Sequence, residues 1–338
     1  MASLTIEASA PGRVDLAGGT LDLWPLHVLH PGSVTVNVAI DRFAHCRVTP
    51  ARDGFRVVLR DSGVEKRSPH PGELLGESRT ALVGSLLEAL EIREPLEIEV
   101  WSEIPFGSGL GGSSALAVSL LAALGRWSGR DLTGVDRVAL VRDVETRVLV
   151  KPAGVQDYYP PLAGGAHVIS FAAGETAAQR IPVEPDLWGR HLTVFDSGTS
   201  HSSGMNNWEV FRARLEGDPQ VASRLDEIRL AAVEMAGALR RGDLPAMGKA
   251  LAAEWHARRL LAPIISTETI DRAIHAAVGA GAWAGKACGA GGGGCVILLS
   301  PADRTADVHR ALADLGEGSV LPVGVVDEGV QVTDSARG

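Results

Sequence analysis

Ile104-Pro105-Phe106-Gly107-Ser108-Gly109-Leu110-Gly111-Gly112-Ser113-Ser114-Ala115 joins a strand-like run, Pro95 to Trp101, to a helix expected from Ser113 to about Trp127. The glycines free the backbone to turn its N–H groups toward one point, and a helix N-terminus carries partial positive charge. Together they favour a bound phosphate. The expected cradle runs through Gly107, Ser108, Gly109, Leu110, Gly111, Gly112, Ser113 and Ser114, and the two serine hydroxyls can hold a phosphate oxygen or a metal ion. Gly107-x-Gly109-x-x-Gly112 also satisfies the dinucleotide fingerprint, as does Gly289-x-Gly291-x-x-Gly294. That fingerprint needs a regular βαβ setting, which the surrounding sequence lacks. Neither loop ends in Gly-Lys-Ser/Thr, so neither is a Walker A loop.

Upstream, Leu4 to Ala8 reads as a strand running into Pro11-Gly12, and Val34 to Ile40 and Phe43 to Val48 read as two more. In the helix after the glycine loop, Leu116, Leu120, Leu121, Leu124 and Trp127 share one face and small residues fill most of the rest, which predicts burial. A second helix is expected from about Gly134 to Val150, opened by Thr133 with Asp136 three residues on, the spacing of a capping box. His167 to Phe171 and His191 to Phe195 read as strands. After Gly204 the spacing of Leu225, Ile228, Met235 and Leu239 predicts a long helical stretch stopped by Gly242. Helices over Leu244 to Leu260, Thr267 to Val278 and Ala302 to Leu315, with strands over Cys295 to Leu299 and Val320 to Val326, complete the reading. Strands and helices segregate rather than alternate, so the fold class is α+β. Pro182, Glu184 and Pro185 mark a composition change that divides the chain into 1–185 and 186–338.

The 338 residues suffice for about two domains. Apolar residues are 45% and charged residues 22%, an ordinary globular balance. Lys+Arg 32 against Asp+Glu 41 gives net −9, which argues against nucleic acid or an anionic membrane as partner. Cys46, Cys288 and Cys295 are odd in number and lack CxxC spacing, so neither a disulfide framework nor a zinc site is expected. No secretory leader or membrane span is visible, and the expected compartment is the cytoplasm. Gly is 40 of 338 and gathers at Gly18-Gly19, Gly107 to Gly112 and Gly289 to Gly294, places where backbone must approach a ligand or turn sharply.

The glycine loop resembles the second motif of the GHMP kinases, the superfamily of galactokinase, homoserine kinase and mevalonate kinase. Ala10-Pro11-Gly12-Arg13-Val14 resembles the first motif, and Lys286 to Cys295 the third. Three motifs in order cover most of the chain. Within the superfamily, Gly18-Gly19-Thr20-Leu21-Asp22 and Gly154-Val155-Gln156-Asp157-Tyr158-Tyr159 resemble elements of the D-glycero-D-manno-heptose-7-phosphate kinases, with an extra leucine before Asp22. His201 stands where that group has an arginine. The resemblance implies a two-domain fold: a ribosomal protein S5 domain 2-like N-terminal domain that binds ATP, and a ferredoxin-like C-terminal domain. It also implies transfer of the γ-phosphate of MgATP to a hydroxyl of a sugar or sugar phosphate.

The same resemblance assigns roles. Asp157 accepts or orients the acceptor's hydroxyl proton, and Arg13 neutralises charge beside it. Glu145 lies on the apolar face of its helix, four residues after Val141 and three before Val148, a costly place for an unpaired carboxylate. Its implied partner is Mg²⁺, shared with Ser114. Asp22, with Thr20 and Gly19, forms the acceptor wall together with Asp157, while Gly291 and Gly292 bring the second domain's backbone close. Lys286 and His201 receive no role, and Cys288 and Cys295 read as structural thiols. The competing readings are a kinase of hydroxy acids, homoserine or polyols, and a non-catalytic ATP or sugar sensor. The sequence leaves the oligomeric state open, a homodimer included.

Overall fold

Pro11 and Gly12 do not end the first strand. β1 (Ser3–Ala17) runs through them beside β2 (Val34–Pro50), and the register jumps there from Pro11↔Phe43 to Gly12↔Ile40. Asp41 and Arg42 bulge out opposite this junction, so the two strands expected between Val34 and Val48 are one bulged strand. The bulge also spares Pro11 a ladder donor it does not have.

The computed structural model describes residues 3–337 apart from 78, 131, 133 and 200–202. The expected cap at Thr133 and the expected site position His201 lie outside the described residues. In chain order the elements after β1 are α1 (Leu26–Leu29), β2, β3 (Phe55–Leu59), β4 (Val64–Ser68), α2 (Ala81–Ala89), β5 (Leu96–Ser102), α3 (Gly112–Ser128) and α4 (Gly134–Leu149). Then follow α5 (Tyr159–Ala163), β6 (Ala166–Ala172), β7 (Glu175–Ile181), α6 (Pro185–Gly189), β8 (Leu192–Asp196) and α7 (Ser203–Leu215). The chain finishes with α8 (Pro219–Arg241), α9 (Leu244–Arg258), α10 (Glu268–Gly279), β9 (Ala284–Ala287), β10 (Cys295–Leu299), α11 (Thr305–Ala313), β11 (Ser319–Leu321) and β12 (Gln331–Arg337).

Two sheets organise these elements. The first is eight-stranded, ordered β12-β1-β2-β5-β3-β4, with β6 on the Val34–Val38 half of β2 and β7 beyond it. The second is antiparallel and four-stranded, ordered β11-β8-β10-β9. This is the expected α+β arrangement. The expected boundary at residue 185 falls between the strands of the two sheets, but β12 crosses back and pairs with β1 from Ser3↔Arg337 to Ser9↔Gln331.

Among the described residues, three apolar cores hold the layers. α3 buries Ala117, Leu120, Leu121 and Leu124 against the first sheet, and truncating one such leucine to alanine costs about 2–5 kcal/mol. The helical stretch expected after Gly204 is two helices, α7 and α8, because Gly217-Asp218-Pro219 interrupts it. The Asp218 side chain caps α8, and Gly242 ends it in a left-handed turn as expected. A second core spans both sheets: Val14, Leu16, Val36 and Val38 of the first meet Met235 and Leu251 of α8 and α9 and Ile297 and Leu299 of β10. β1 meets both the loop that opens α3, where the Arg13 N–H donates to the Leu110 carbonyl at 2.9 Å, and β9, where Lys286 donates to Asp15.

Candidate active site

The glycine loop beside β1 holds Gly107, Gly109 and Gly111 all at positive φ, 70° to 76°. A Cβ on Gly109 would lie 2.4 Å from the Cys288 carbonyl oxygen, so the third glycine segment sits directly on the loop. Gly294 braces it similarly, and the Cys295 N–H donates to the Ser108 carbonyl at 2.8 Å. Gly291 and Gly292 instead anchor to Ile265, whose carbonyl accepts from the Gly292 N–H at 2.8 Å. Helix α3 then begins at Gly112 with no side-chain cap, which leaves its positive end unneutralised by a side chain. Burial pushes the Cys288 thiol up to about 12 and raises Cys295 too, so both are inert structural thiols.

Arg13 leaves β1 beneath this loop. Its Nε and Nη2 donate to the two oxygens of Asp157 at 2.8 Å each, and Nη1 donates to the Gly109 carbonyl. The Arg13 side chain is 5% exposed and that of Asp157 31%, so the carboxylate is the reachable member. Burial works against the guanidinium charge, yet Asp157 beside it holds the Arg13 pKa above its ordinary value. Asp157 itself sits in a short 3₁₀ turn, Gln156–Tyr158, between α4 and α5.

Glu145 of α4 is buried and gathers hydroxyls, not an arginine. Ser113 donates to Oε1 at 2.6 Å, while Ser114 and Tyr158 donate to Oε2 at 3.3 and 2.5 Å. Burial raises the Glu145 pKa, with the Asp157 charge adding to the rise and the hydroxyl bonds opposing it. Among the described residues no group of three or more His, Cys, Asp or Glu could hold a metal as a protein cage. A hydroxyl–carboxylate oxygen pair suits Mg²⁺, which takes few protein ligands and completes its shell with other oxygens.

Asp22 stands beside the Asp157 turn. It is buried, accepts from the Gln156 N–H at 3.1 Å, and lies so close to Gly154 that a Cβ there would stand 1.9 Å from Oδ2. Burial, with the nearby Asp157 charge, pushes its carboxyl up to about 7. Thr20, at φ +77°, donates to Asn207 Oδ1 of α7 at 3.0 Å, and Gly19 fits between Asp15 and Gln156.

The fold thus brings together Arg13, Asp157, Glu145, Ser113, Ser114, Asp22, Thr20 and the glycine loop, while Gly291 and Gly292 lie against the Ile265 loop. The sequence reading missed Tyr158, Asn207 and the buried partners of Lys286, which are Asp15 and Glu254. Two signals pointed to the latter. Asp15 shares the strand face of Arg13, and Glu254 and Arg258 form an i, i+4 pair among buried apolar residues.

The family model described as "GHMP kinases N terminal domain" matches residues 79–165, and that described as "GHMP kinases C terminal" matches 235–318, together just over half of the chain. The chain is 26% identical to a D-glycero-alpha-D-manno-heptose 7-phosphate kinase of Campylobacter jejuni, over 97% of this chain and 98% of that one. It is also 26% identical to a galactokinase of Mycobacterium tuberculosis, over 99% of each chain. In structure it resembles a D-glycero-D-manno-heptose 1-phosphate kinase from Bacteroides thetaiotaomicron with a TM-score of 0.75 at 22% identity, over 97% of this chain and 98% of that one.

Proposed function

The chain belongs to the GHMP kinases, and from that membership we propose an ATP-dependent sugar kinase that phosphorylates a hydroxyl of a sugar or sugar phosphate, with a heptose 7-phosphate-like acceptor favoured. The observation that carries the reading is the Arg13–Asp157 fork, set between the phosphate loop at Gly109 and the acceptor wall at Asp22. The names of the heptose phosphate kinase and galactokinase relatives support the sugar acceptor.

In this reading the backbone N–H groups of Gly107 to Gly112 and the start of α3 cradle the ATP phosphates. Ser114 and Glu145 would hold Mg²⁺, which would supply positive charge to neutralise the phosphates. Arg13 fixes Asp157 and supplies positive charge beside the transferred group. Asp157, with both oxygens engaged by Arg13, orients the acceptor hydroxyl and takes its proton as the new phosphorus–oxygen bond forms. Phosphoryl transfer needs little more than such positioning and charge stabilisation. Asp22 accepts hydrogen bonds from two acceptor hydroxyls. The residues used would flank the bound substrates, so loss of water between them strengthens each of these interactions.

An ADP-release assay over heptose 7-phosphates, galactose and other sugars, polyols, homoserine and mevalonate-like hydroxy acids tests the reading. Turnover with a sugar or sugar phosphate is the expected result. Turnover confined to a hydroxy acid, homoserine or polyol would overturn the sugar acceptor, and ATP binding without any turnover would point to a sensor.

A further inference from the structure

A buried ionic chain ties the acceptor wall to the second sheet. Lys286 of β9 is fully buried and donates to Asp15 Oδ2 at 3.0 Å and to Glu254 Oε1 at 3.2 Å. The same Glu254 oxygen accepts from Arg258 Nε at 2.7 Å. Arg258, only 2% exposed, also holds its Nη2 within 2.6 Å of that oxygen, and its two terminal nitrogens reach the acceptor wall as well. Nη2 donates to the Gly19 carbonyl at 2.8 Å, and Nη1 to Thr20 Oγ1 at 3.3 Å.

Two acids and two bases balance the charge, and Lys286 and Arg258 hold the Asp15 carboxyl below its ordinary value against the opposing effect of burial. A buried ion network of this kind contributes little net stability compared with apolar side chains of the same volume. Its geometry is informative instead. Thr20 stands at φ +77°, a conformation that a β-branched residue keeps only where its surroundings impose it. The Leu21 N–H donates to the Gly18 carbonyl and the Leu23 N–H to the Thr20 carbonyl, each at 3.2 Å, and Asp22 sits inside this double turn. A planar guanidinium can grip a carbonyl and a hydroxyl at once, which an ammonium cannot do with the same fixed spacing.

We propose that Arg258, held in place by Glu254 and Lys286, is a positioning residue that clamps the Gly19–Thr20 turn and so fixes the direction of Asp22 toward the acceptor. The second clause rests on the assignment of Asp22 to the acceptor; the clamp itself does not. Glu254 and Lys286 belong to the second sheet and its helix, so the clamp also sets the acceptor wall against that half of the molecule.

Amide hydrogen exchange on the full-length, ligand-free protein tests the clamp. Arg258→Lys keeps a positive charge opposite Glu254 but cannot grip both acceptors. It should speed exchange across residues 18–24 by at least ~10-fold, while the Ala115 amide at the start of α3 keeps its protection. Unchanged protection at Leu21 and Leu23, or an equal rise throughout the chain, would overturn the proposal. Thr20→Val removes the Nη1 acceptor together with the hydroxyl's bond to Asn207 and provides a second variant. It should loosen the same segment, and adding Arg258→Lys to it should bring little further loosening. With D-glycero-D-manno-heptose 7-phosphate as acceptor, Arg258→Lys should raise the acceptor KM by at least ~10-fold with the ATP KM unchanged. Asp22→Ala is measured beside it. If that variant leaves the acceptor KM unchanged, the assignment of Asp22 has failed, and exchange over 18–24 still decides the clamp.

Discussion

Arg13 and Asp157, 144 residues apart in the chain, meet through two parallel N–H···O bonds of 2.8 Å. Because the third guanidinium nitrogen reaches the Gly109 carbonyl, the first strand, the glycine loop and the turn after α4 are fastened at one point. A bidentate fork of this kind fixes direction as well as distance. The carboxylate is held, yet remains the more exposed partner.

Asp157→Asn keeps the shape of the side chain and loses its charge. Nucleotide affinity should persist while kcat falls by roughly 10²–10⁴, the range for loss of a group that handles a proton. Arg13→Lys, which keeps charge and loses the fork, should lower kcat by less. Steady-state kinetics with separate ATP titrations checks both. Near-normal turnover in Asp157→Asn would remove that residue from the mechanism.

The hydroxyls around Glu145 lead to a prediction about magnesium. Ser114→Ala and Glu145→Gln should each raise the Mg²⁺ concentration for half-maximal rate, since both donate to one proposed ion. Tyr158→Phe removes a hydrogen bond to the charged carboxylate and so raises the Glu145 pKa further. Protonation then competes with the metal more strongly as pH falls. Mg²⁺ titrations at about pH 6 and about pH 8 should therefore diverge more in Tyr158→Phe than in the wild type. Equal magnesium dependence in all variants would make Glu145 a structural residue.

Asp22 gives the molecule a pH dependence near neutrality. Its folded pKa of about 7 exceeds the ordinary carboxylate value of 3.8, so the folded state binds the additional proton between these limits. The associated stability is complete below about pH 4 and is lost as pH rises through 7, a linkage worth at most roughly 4 kcal/mol. Asp22→Asn should thus gain on the wild type in Tm as pH rises over that window. Acceptor hydroxyls bind the ionised form, so the wild-type acceptor KM should fall from about pH 6 to about pH 8, and this inflection should vanish in Asp22→Asn. Asp22→Ala should weaken acceptor use at least ~10-fold at high pH, since charge-assisted hydrogen bonds contribute ~1.5–3 kcal/mol each and about 1.4 kcal/mol is one decade. A pH-independent acceptor KM in the wild type would contradict the assignment.

The parts of this fold that the sequence announces are those whose signal is local. The glycine loop, the apolar face of α3 and the Gly242 stop each depend on residues within a few positions of one another, and each is where the pattern put it. Glu145 stood out because an acid on an apolar helix face needs a partner. β12 and the Arg258 clamp were not legible for the opposite reason. Gln331–Arg337 alternates weakly and pairs with the other end of the chain, and Arg258 meets Gly19 across 239 residues. β7, Glu175–Ile181, exposes nearly every residue, so it has no buried face to reveal its period. Lys286 lies in a strand of only four residues, too short to show that its side chain points inward to Asp15.

Two glycines separate the two ends of the site. Gly154 has no positive φ, and its constraint is steric: a Cβ would stand 1.9 Å from Asp22 Oδ2. Gly109 is constrained twice, by φ +76° and by the Cys288 carbonyl 2.4 Å from an added Cβ. Gly154→Ala must therefore displace Asp22 while leaving the phosphate loop alone, and a misplacement of about 1 Å can cost ~10²-fold. It should raise the acceptor KM and spare the ATP KM. Gly109→Ala must push the loop away from the third glycine segment, which moves the phosphate cradle and the carbonyl that Arg13 grips. It should raise the ATP KM and lower Tm through backbone strain of about 1–3 kcal/mol. Measuring both KM values and Tm in the two variants tests the assignment of each wall. If Gly154→Ala instead weakened ATP and spared the acceptor, Asp22 would belong to the nucleotide side of the site.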